Sequence, residues 1–175
     1  MARDPAIAMV DYDPQWPVMF EVEKRRLHDA LGDVAVRIEH IGSTAVPGLA
    51  AKPIIDIDVY VRAIEPMARY REPLEALGYV FKFDPETPRL HFFGYPAWRP
   101  RRFHVHVAEL VGRHMVADLA VRDFLQTRPD VAEEYARLKR ILTAQHPGDG
   151  DAYVAGKAQF MTELQARALR WAKQG

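Results

Sequence analysis

The sequence contains no cysteine, which excludes a disulfide framework, a thiolate metal site and a cysteine nucleophile. It has no apolar run approaching the roughly 20 residues that a membrane-spanning helix needs, so no membrane partner is expected. Neither sign of charge is in excess: 24 basic residues face 24 acidic ones. Proteins that track long nucleic acid show a basic surplus, so long nucleic acid is not expected as a partner either. Met1-Ala2-Arg3-Asp4-Pro5 leads straight into an amphipathic stretch without the apolar core of a signal peptide. With the missing thiols, this gives a cytoplasmic protein as the expectation. There is no internal repeat and no low-complexity tract.

The 175 residues suffice for a core that needs no staples. Ile7–Tyr12 reads as a short strand. From Pro14 a helix runs to about Leu31, with Trp16, Met19, Phe20, Val22 and Leu27 on one face. Residues 34–41 alternate, placing Val36, Ile38 and His40 on one side. A loop of two glycines and two prolines spans 42–53, and 54–61 reads as a buried strand interrupted by Asp56 and Asp58. A helix over 64–77 stops at Gly78. Strands are expected at 79–83, 90–95 and 102–110. Beyond residue 112 the pattern is helical: 114–127, a second helix capped by Asp130 with Glu133, and a third from Asp151 to about Lys173. The second carries Ala132, Tyr135, Leu138, Ile141 and Leu142 on one face. The expectation is one domain over 1–175. A mixed α/β core (1–112) would be covered by a helical part (113–175) that packs on it.

The chemistry concentrates between Glu39 and Val59. Gly42 permits close approach of the backbone, and Ser43 and Thr44 offer amides and hydroxyls, so this turn can cradle a phosphate. Asp56 and Asp58 stand at i and i+2 on an otherwise apolar strand. That spacing puts both carboxylates on one face, roughly 6.5–7 Å apart along the chain. Two buried carboxylates repel each other and resist desolvation. A divalent cation relieves both problems, and magnesium takes carboxylate oxygens together with phosphate oxygens. The chemistry suggested is phosphoryl or nucleotidyl transfer. Taken singly, a Gly-Ser pair is usually only a turn, and an Asp-x-Asp is often an edge feature or an ion-pair partner. Their succession is what points to a site.

Gly42-Ser43, twelve residues, then Asp56-Ile57-Asp58 resembles the signature of polymerase-beta-type nucleotidyltransferases. The longer run His40-Ile41-Gly42-Ser43-Thr44-Ala45-Val46-Pro47-Gly48-Leu49-Ala50-Ala51-Lys52-Pro53-Ile54-Ile55-Asp56 resembles the GrpB family. So do His104-Val105-His106-Val107, Val121-Arg122-Asp123-Phe124-Leu125, Tyr135 with Leu138-Lys139, and Tyr153 with Lys157 and Phe160. The resemblance covers nearly the whole chain. It implies an α+β fold: a nucleotidyltransferase-like mixed β-sheet with flanking helices and a C-terminal helical extension. The resemblance implies no particular reaction, although some relatives are fused to dephospho-coenzyme A kinase.

Active members of the wider superfamily use a third carboxylate on a later strand. The equivalent strand here presents His104 and His106. Either one replaces the acid, with His106 as base and both as metal ligands beside Asp56 and Asp58, or turnover has been lost and the histidines only bond within a polar pocket. His91 and His40 could join the cluster. The expected ligand is a nucleotide or other phosphorylated small molecule. Gly42, Ser43, Thr44, Lys52, Arg102, Lys139, Tyr153 and Lys157 would bind it, with magnesium or manganese, or zinc in their place. Lys82, Arg89, Arg99 and Arg101 are weaker candidates beside the hairpin strands. Tyr135 with Lys139, and Tyr153 with Lys157, share helical faces at i, i+4, an arrangement that ordinary interhelical packing explains equally well. The expected function is metal-dependent nucleotidyl transfer to a small acceptor; the alternative is a nucleotide- or phosphate-binding module of the same fold without turnover. Nothing in the sequence bears on oligomeric state.

Overall fold

The computed structural model describes residues 8–82, 91–96, 102–111 and 113–174. Its centre is a five-stranded mixed sheet: β1 (Arg37–Ile41), β2 (Ile55–Val61), β3 (Val80–Lys82), β4 (His91–Tyr95) and β5 (Phe103–Glu109), in the order β1-β2-β5-β4-β3. Only β2 and β5 run parallel; the other pairs are antiparallel. Parallel pairing requires a long crossover, which α2 (Ala68–Ala76) and the β3–β4 hairpin supply.

Alternation along the strands separates two faces. Ile55, Ile57 and Val59 of β2 and Phe103, Val105 and Val107 of β5 are buried against Trp16, Phe20, Leu27 and Leu31 of α1 (Trp16–Leu31) and Tyr70 and Leu74 of α2. Asp56, Asp58, His104 and His106 take the other face. The three helices α3 (Arg113–Thr127), α4 (Pro129–Gln145) and α5 (Gly150–Ala172) build a second apolar cluster around Phe124, Tyr135 and Leu164. Val46 and Leu49, from the loop after β1, belong to that cluster. The Gly42–Gly48 turn is therefore the seam between sheet and helices. Among the described residues no helix is long and apolar enough to cross a membrane.

Several local expectations are corrected. The expected strand at 7–12 reduces, among the described residues, to a single bridge between Val10 and Ala51. The α1 stripe runs through Glu23 rather than Val22, which is exposed. Glu23 is buried because the Tyr79 hydroxyl donates to its carboxylate at 2.8 Å. The helix expected over 64–77 starts four residues later, since the residue ahead of Pro66 is biased away from helical geometry. The Asp130–Glu133 capping box does not form. Pro129 occupies the first turn, and Asp130 receives the Arg128 guanidinium instead. On α4 the inward face carries Lys139, while Ile141 is exposed. The last helix starts at Gly150, one residue earlier than expected, and is capped by Asp149, whose carboxylate accepts from the amides of Asp151 and Ala152.

Candidate functional site

Gly42 closes β1 and opens a short 3₁₀ turn, Ser43–Ala45. Its φ is +70°, a region costly for any residue with a side chain. A Cβ there would also lie 2.6 Å from Asp56 Oδ2. The turn thus presses its backbone directly onto the β2 carboxylate. Two contacts from α3 hold it: Gln126 Nε2 donates to Ala45 O at 2.9 Å, and Arg122 to His40 O at 3.2 Å.

Parallel register makes the carboxylate face a ladder of two acid–imidazole pairs, Asp56 opposite His104 and Asp58 opposite His106. His104 Nδ1 is 3.3 Å from Asp56 Oδ1, and His106 Nδ1 is 3.8 Å from Asp58 Oδ1. The Phe92 ring of β4 stands edge-on to both imidazoles, with centroids 4.9 and 5.3 Å away. The two acids are not equivalent. Burial pushes Asp56 up, but the His104 hydrogen bond and the charges of His104, His106 and Lys157 outweigh it and hold the group below the usual carboxylate range. Asp58 is 1 % exposed. Burial, with the negative charges of Asp118, Asp56 and Glu39, pushes it up to about 8. One of its oxygens, Oδ2, accepts from the Tyr60 hydroxyl at 2.5 Å; the other, Oδ1, has no hydrogen-bond partner among the described residues, nor does His104 Nε2.

Across the Gly-Ser turn the polarity reverses. Lys139 is 2 % exposed. Its ammonium donates to Ser43 Oγ at 2.9 Å and Ala50 O at 2.6 Å, and lies 4.4 Å from the Tyr135 ring centroid. Lys52 and Lys157 both lie over the Tyr153 ring, at 4.3 and 5.3 Å. Burial brings Lys139 down to about 7, helped by the charges of Lys157 and Arg140, while Asp56 acts in the opposite sense. Burial lowers Lys157 as well.

The structure therefore gathers Gly42, Ser43, Lys52, Asp56, Lys139, Tyr153 and Lys157, with Asp58, His104 and His106 continuing along the sheet. It does not gather all the expected residues. The Thr44 hydroxyl is buried and engaged by His40 Nε2 at 3.0 Å. His40 stacks on Phe20, and burial brings it down to about 4, so it is a neutral strut on the α1 side. His91 is bonded to the Tyr70 hydroxyl among Phe81 and Tyr70, away from the acid ladder. The exposed Arg102 guanidinium lies over the Phe103 ring at 5.9 Å, and Lys82 over Phe92 at 5.5 Å. Arg89, Arg99 and Arg101 lie outside the described residues. Tyr60 had no signal in the sequence beyond its position two residues after Asp58, which shares that face.

A mixed sheet with a glycine-serine turn pressed on an Asp-x-Asp strand, and helices closing over the turn, is the α+β arrangement the nucleotidyltransferase-like expectation describes. The GrpB protein family model matches residues 6–167, and this chain belongs to the GrpB family. It is 32 % identical to the conserved protein GrpB from Enterococcus faecalis, whose crystal structure it matches with a TM-score of 0.88, over 94 % of this chain and 99 % of that one. It is 36 % identical to the UPF0157 protein YqkA of Bacillus subtilis, over 95 % of this chain and 48 % of YqkA. It is 34 % identical to a dephospho-CoA kinase of Mycolicibacterium paratuberculosis, over 98 % of this chain and 48 % of that protein. The chain thus spans about half the length of these last two relatives.

Proposed function

We propose that this chain binds a nucleoside triphosphate or similar phosphorylated small molecule at the Gly42–Ser43 turn. Asp56 and Asp58 would hold a divalent cation, and a nucleotidyl group would pass to a small acceptor. The observation that carries this reading is the contact between Lys139 and Ser43, which places a buried ammonium on the hydroxyl of the turn with Lys52 and Lys157 close by. Desolvated lysines gain most from an anion that can share their protons. Asp56 would weaken the binding of that anion, and a cation between them would restore it. The Asp58 Oδ1 atom, buried without a hydrogen-bond partner among the described residues, fits a cation. Magnesium or manganese is the ion proposed, because these draw their remaining ligands from phosphate and water. Zinc sites use three or four protein ligands, and among the described residues no group of three His, Asp or Glu side chains is arranged to hold an ion. When bound, the cation would neutralise charge on the transferred group. That one relative carries the name of a kinase acting on a coenzyme A precursor agrees with a nucleotide-like ligand.

A second reading, binding without turnover, is favoured by one feature: the positions opposite Asp56 and Asp58 hold imidazoles in place of a third carboxylate. Calorimetric titration with each common nucleoside triphosphate, with and without magnesium, tests the binding. Affinity no tighter than about 1 mM, roughly 4 kcal/mol, would end the nucleotide reading. Pyrophosphate release in the presence of small hydroxyl acceptors then separates transfer from binding alone.

A further inference from the structure

We propose that Tyr60 is a positioning residue for the cation: it pins one oxygen of Asp58 so that the other is presented as a ligand. This inference rests on the cation in the function proposed above. Tyr60 follows Asp58 by two residues on β2 and so shares its face, and its ring is 0 % exposed. Packing fixes that ring, and its hydroxyl donates to Asp58 Oδ2 at 2.5 Å. Among the described residues Asp58 Oδ1 has no hydrogen-bond partner, and His106 Nδ1, at 3.8 Å, is beyond hydrogen-bond reach. A buried acceptor without a partner is costly and rarely kept. Here one oxygen is fully engaged and its twin is not, the asymmetry of a carboxylate arranged to bind through a single oxygen. The torsion that turns a carboxylate about its own axis is soft, so the hydroxyl is what distinguishes the two oxygens. Asp56, Asp118 and Glu39 add negative charge acting on the same group, which favours a cation over an anion at Oδ1. Outer groups that orient a metal-binding carboxylate typically change metal affinity when removed, by about 10- to 100-fold.

The test is a manganese titration of the full chain, read by the loss of the free-ion paramagnetic resonance signal, on wild type, Tyr60→Phe and Asp58→Asn. Inorganic phosphate binding without metal is measured alongside. Tyr60→Phe is expected to weaken manganese binding about 10- to 100-fold, approaching Asp58→Asn, with phosphate affinity unchanged. A merely structural role for Tyr60 would loosen both ligands together. Equal manganese affinity in wild type and Tyr60→Phe overturns the inference and leaves the proposed function standing. If wild type takes up no manganese, the inference and the cation half of the proposed function both fall, and the phosphate measurement decides the other half. Should Tyr60→Phe not fold, the tyrosine near-ultraviolet difference spectrum of wild type replaces it. Manganese is expected to perturb that spectrum in wild type and not in Asp58→Asn. No perturbation in wild type overturns the inference.

Discussion

The two sides of the Gly-Ser turn bury charge in opposite ways. On the sheet side, carboxylates are met by imidazoles and a phenol, all presented by strands in register. On the helix side, lysines are met by a hydroxyl, a carbonyl and aromatic rings presented by three separate segments. Each side leaves one group poorly compensated. Asp58 is pushed up to about 8 and Lys139 down to about 7, so around neutral pH neither keeps its full charge. A cation on the first and an anion on the second would restore both charges at once. A pair of opposite charges would therefore complete the site, and the proposed metal–phosphate ligand would supply both.

The seam that keeps the sides apart is the place to break the comparison most severely. Gly42→Ala would put a Cβ against Asp56 Oδ2 in a backbone region that side chains avoid. A loss of about 3 kcal/mol is expected, lowering the melting temperature by roughly 6–12 °C. A thermal melt checks it; a variant as stable as wild type would show that the turn and β2 are not in contact.

Lys139→Met sharpens the helix side. It removes the ammonium on Ser43 while keeping length and apolar contact with Tyr135. Hydrogen bonds to charged groups contribute about 1.5–3 kcal/mol, so phosphate-ligand affinity should fall roughly 10- to 100-fold by calorimetry. Stability at pH 7 should change little, because replacing a buried charge by an apolar group is often neutral. The pH dependence should differ as well. The folded state holds Lys139 below its unfolded value, so between about pH 7 and the ordinary lysine range the unfolded chain binds more protons. Stability then rises with pH across that window, and denaturant titrations should show this rise weakened in Lys139→Met.

The aspartates test the sheet side, where repulsion between neighbouring carboxylates weighs on Asp58 and not on Asp56. Because the folded Asp58 lies above its unfolded value, its contribution is present below about pH 4 and is lost as pH rises toward 8. Asp58→Asn should flatten that decline. Asp56 is held low, so its contribution is present above the unfolded value and lost as pH falls through the folded one. Asp56→Asn should therefore cost on the order of 1 kcal/mol near neutral pH in urea titrations. Equal effects of the two substitutions would remove the distinction.

Strand alternation made the sheet side legible. Period 2 alone places Asp56, Asp58, His104 and His106 on one face, and the parallel pairing of β2 with β5 only adds the register. The helix side was legible in part. The spacing of Tyr135 with Lys139 and Tyr153 with Lys157 brings each pair onto one helical face, but it cannot say that both faces converge on Ser43. Nor can it say that Lys139 is buried in the place where Ile141 was expected. Thr44 and His40 went astray for a related reason. A hydroxyl next to a glycine-serine turn and a histidine on a strand look like ligands until tertiary packing shows that each satisfies the other. Tyr60 is buried like core, and only its hydroxyl, which alternation cannot place on Asp58, sets it apart.

The smallest expected effect compares two basic residues that sequence treated alike. Lys52 and Arg102 flank the same pair of strands, and both were assigned to phosphate. The structure lays Lys52 on the Tyr153 ring beside Lys157, within the field of the lysine pocket. Arg102 instead spreads over Phe103, which belongs to the apolar face. Its structural duties are main-chain ones: its amide donates to Tyr95 O and its carbonyl accepts from Ile55 N. Both survive substitution. Lys52→Ala removes one partly exposed charge from the pocket and a cation–π contact of about 0.5–1 kcal/mol, so phosphate-ligand affinity should fall by only a few-fold, and less at high salt. Arg102→Ala should leave affinity unchanged at any salt concentration. Parallel calorimetric titrations of the two variants at low and high salt separate the cases. An Arg102→Ala defect equal to that of Lys52→Ala would mean that the anion reaches across the end of β5, and that the pocket is wider than the three lysines define.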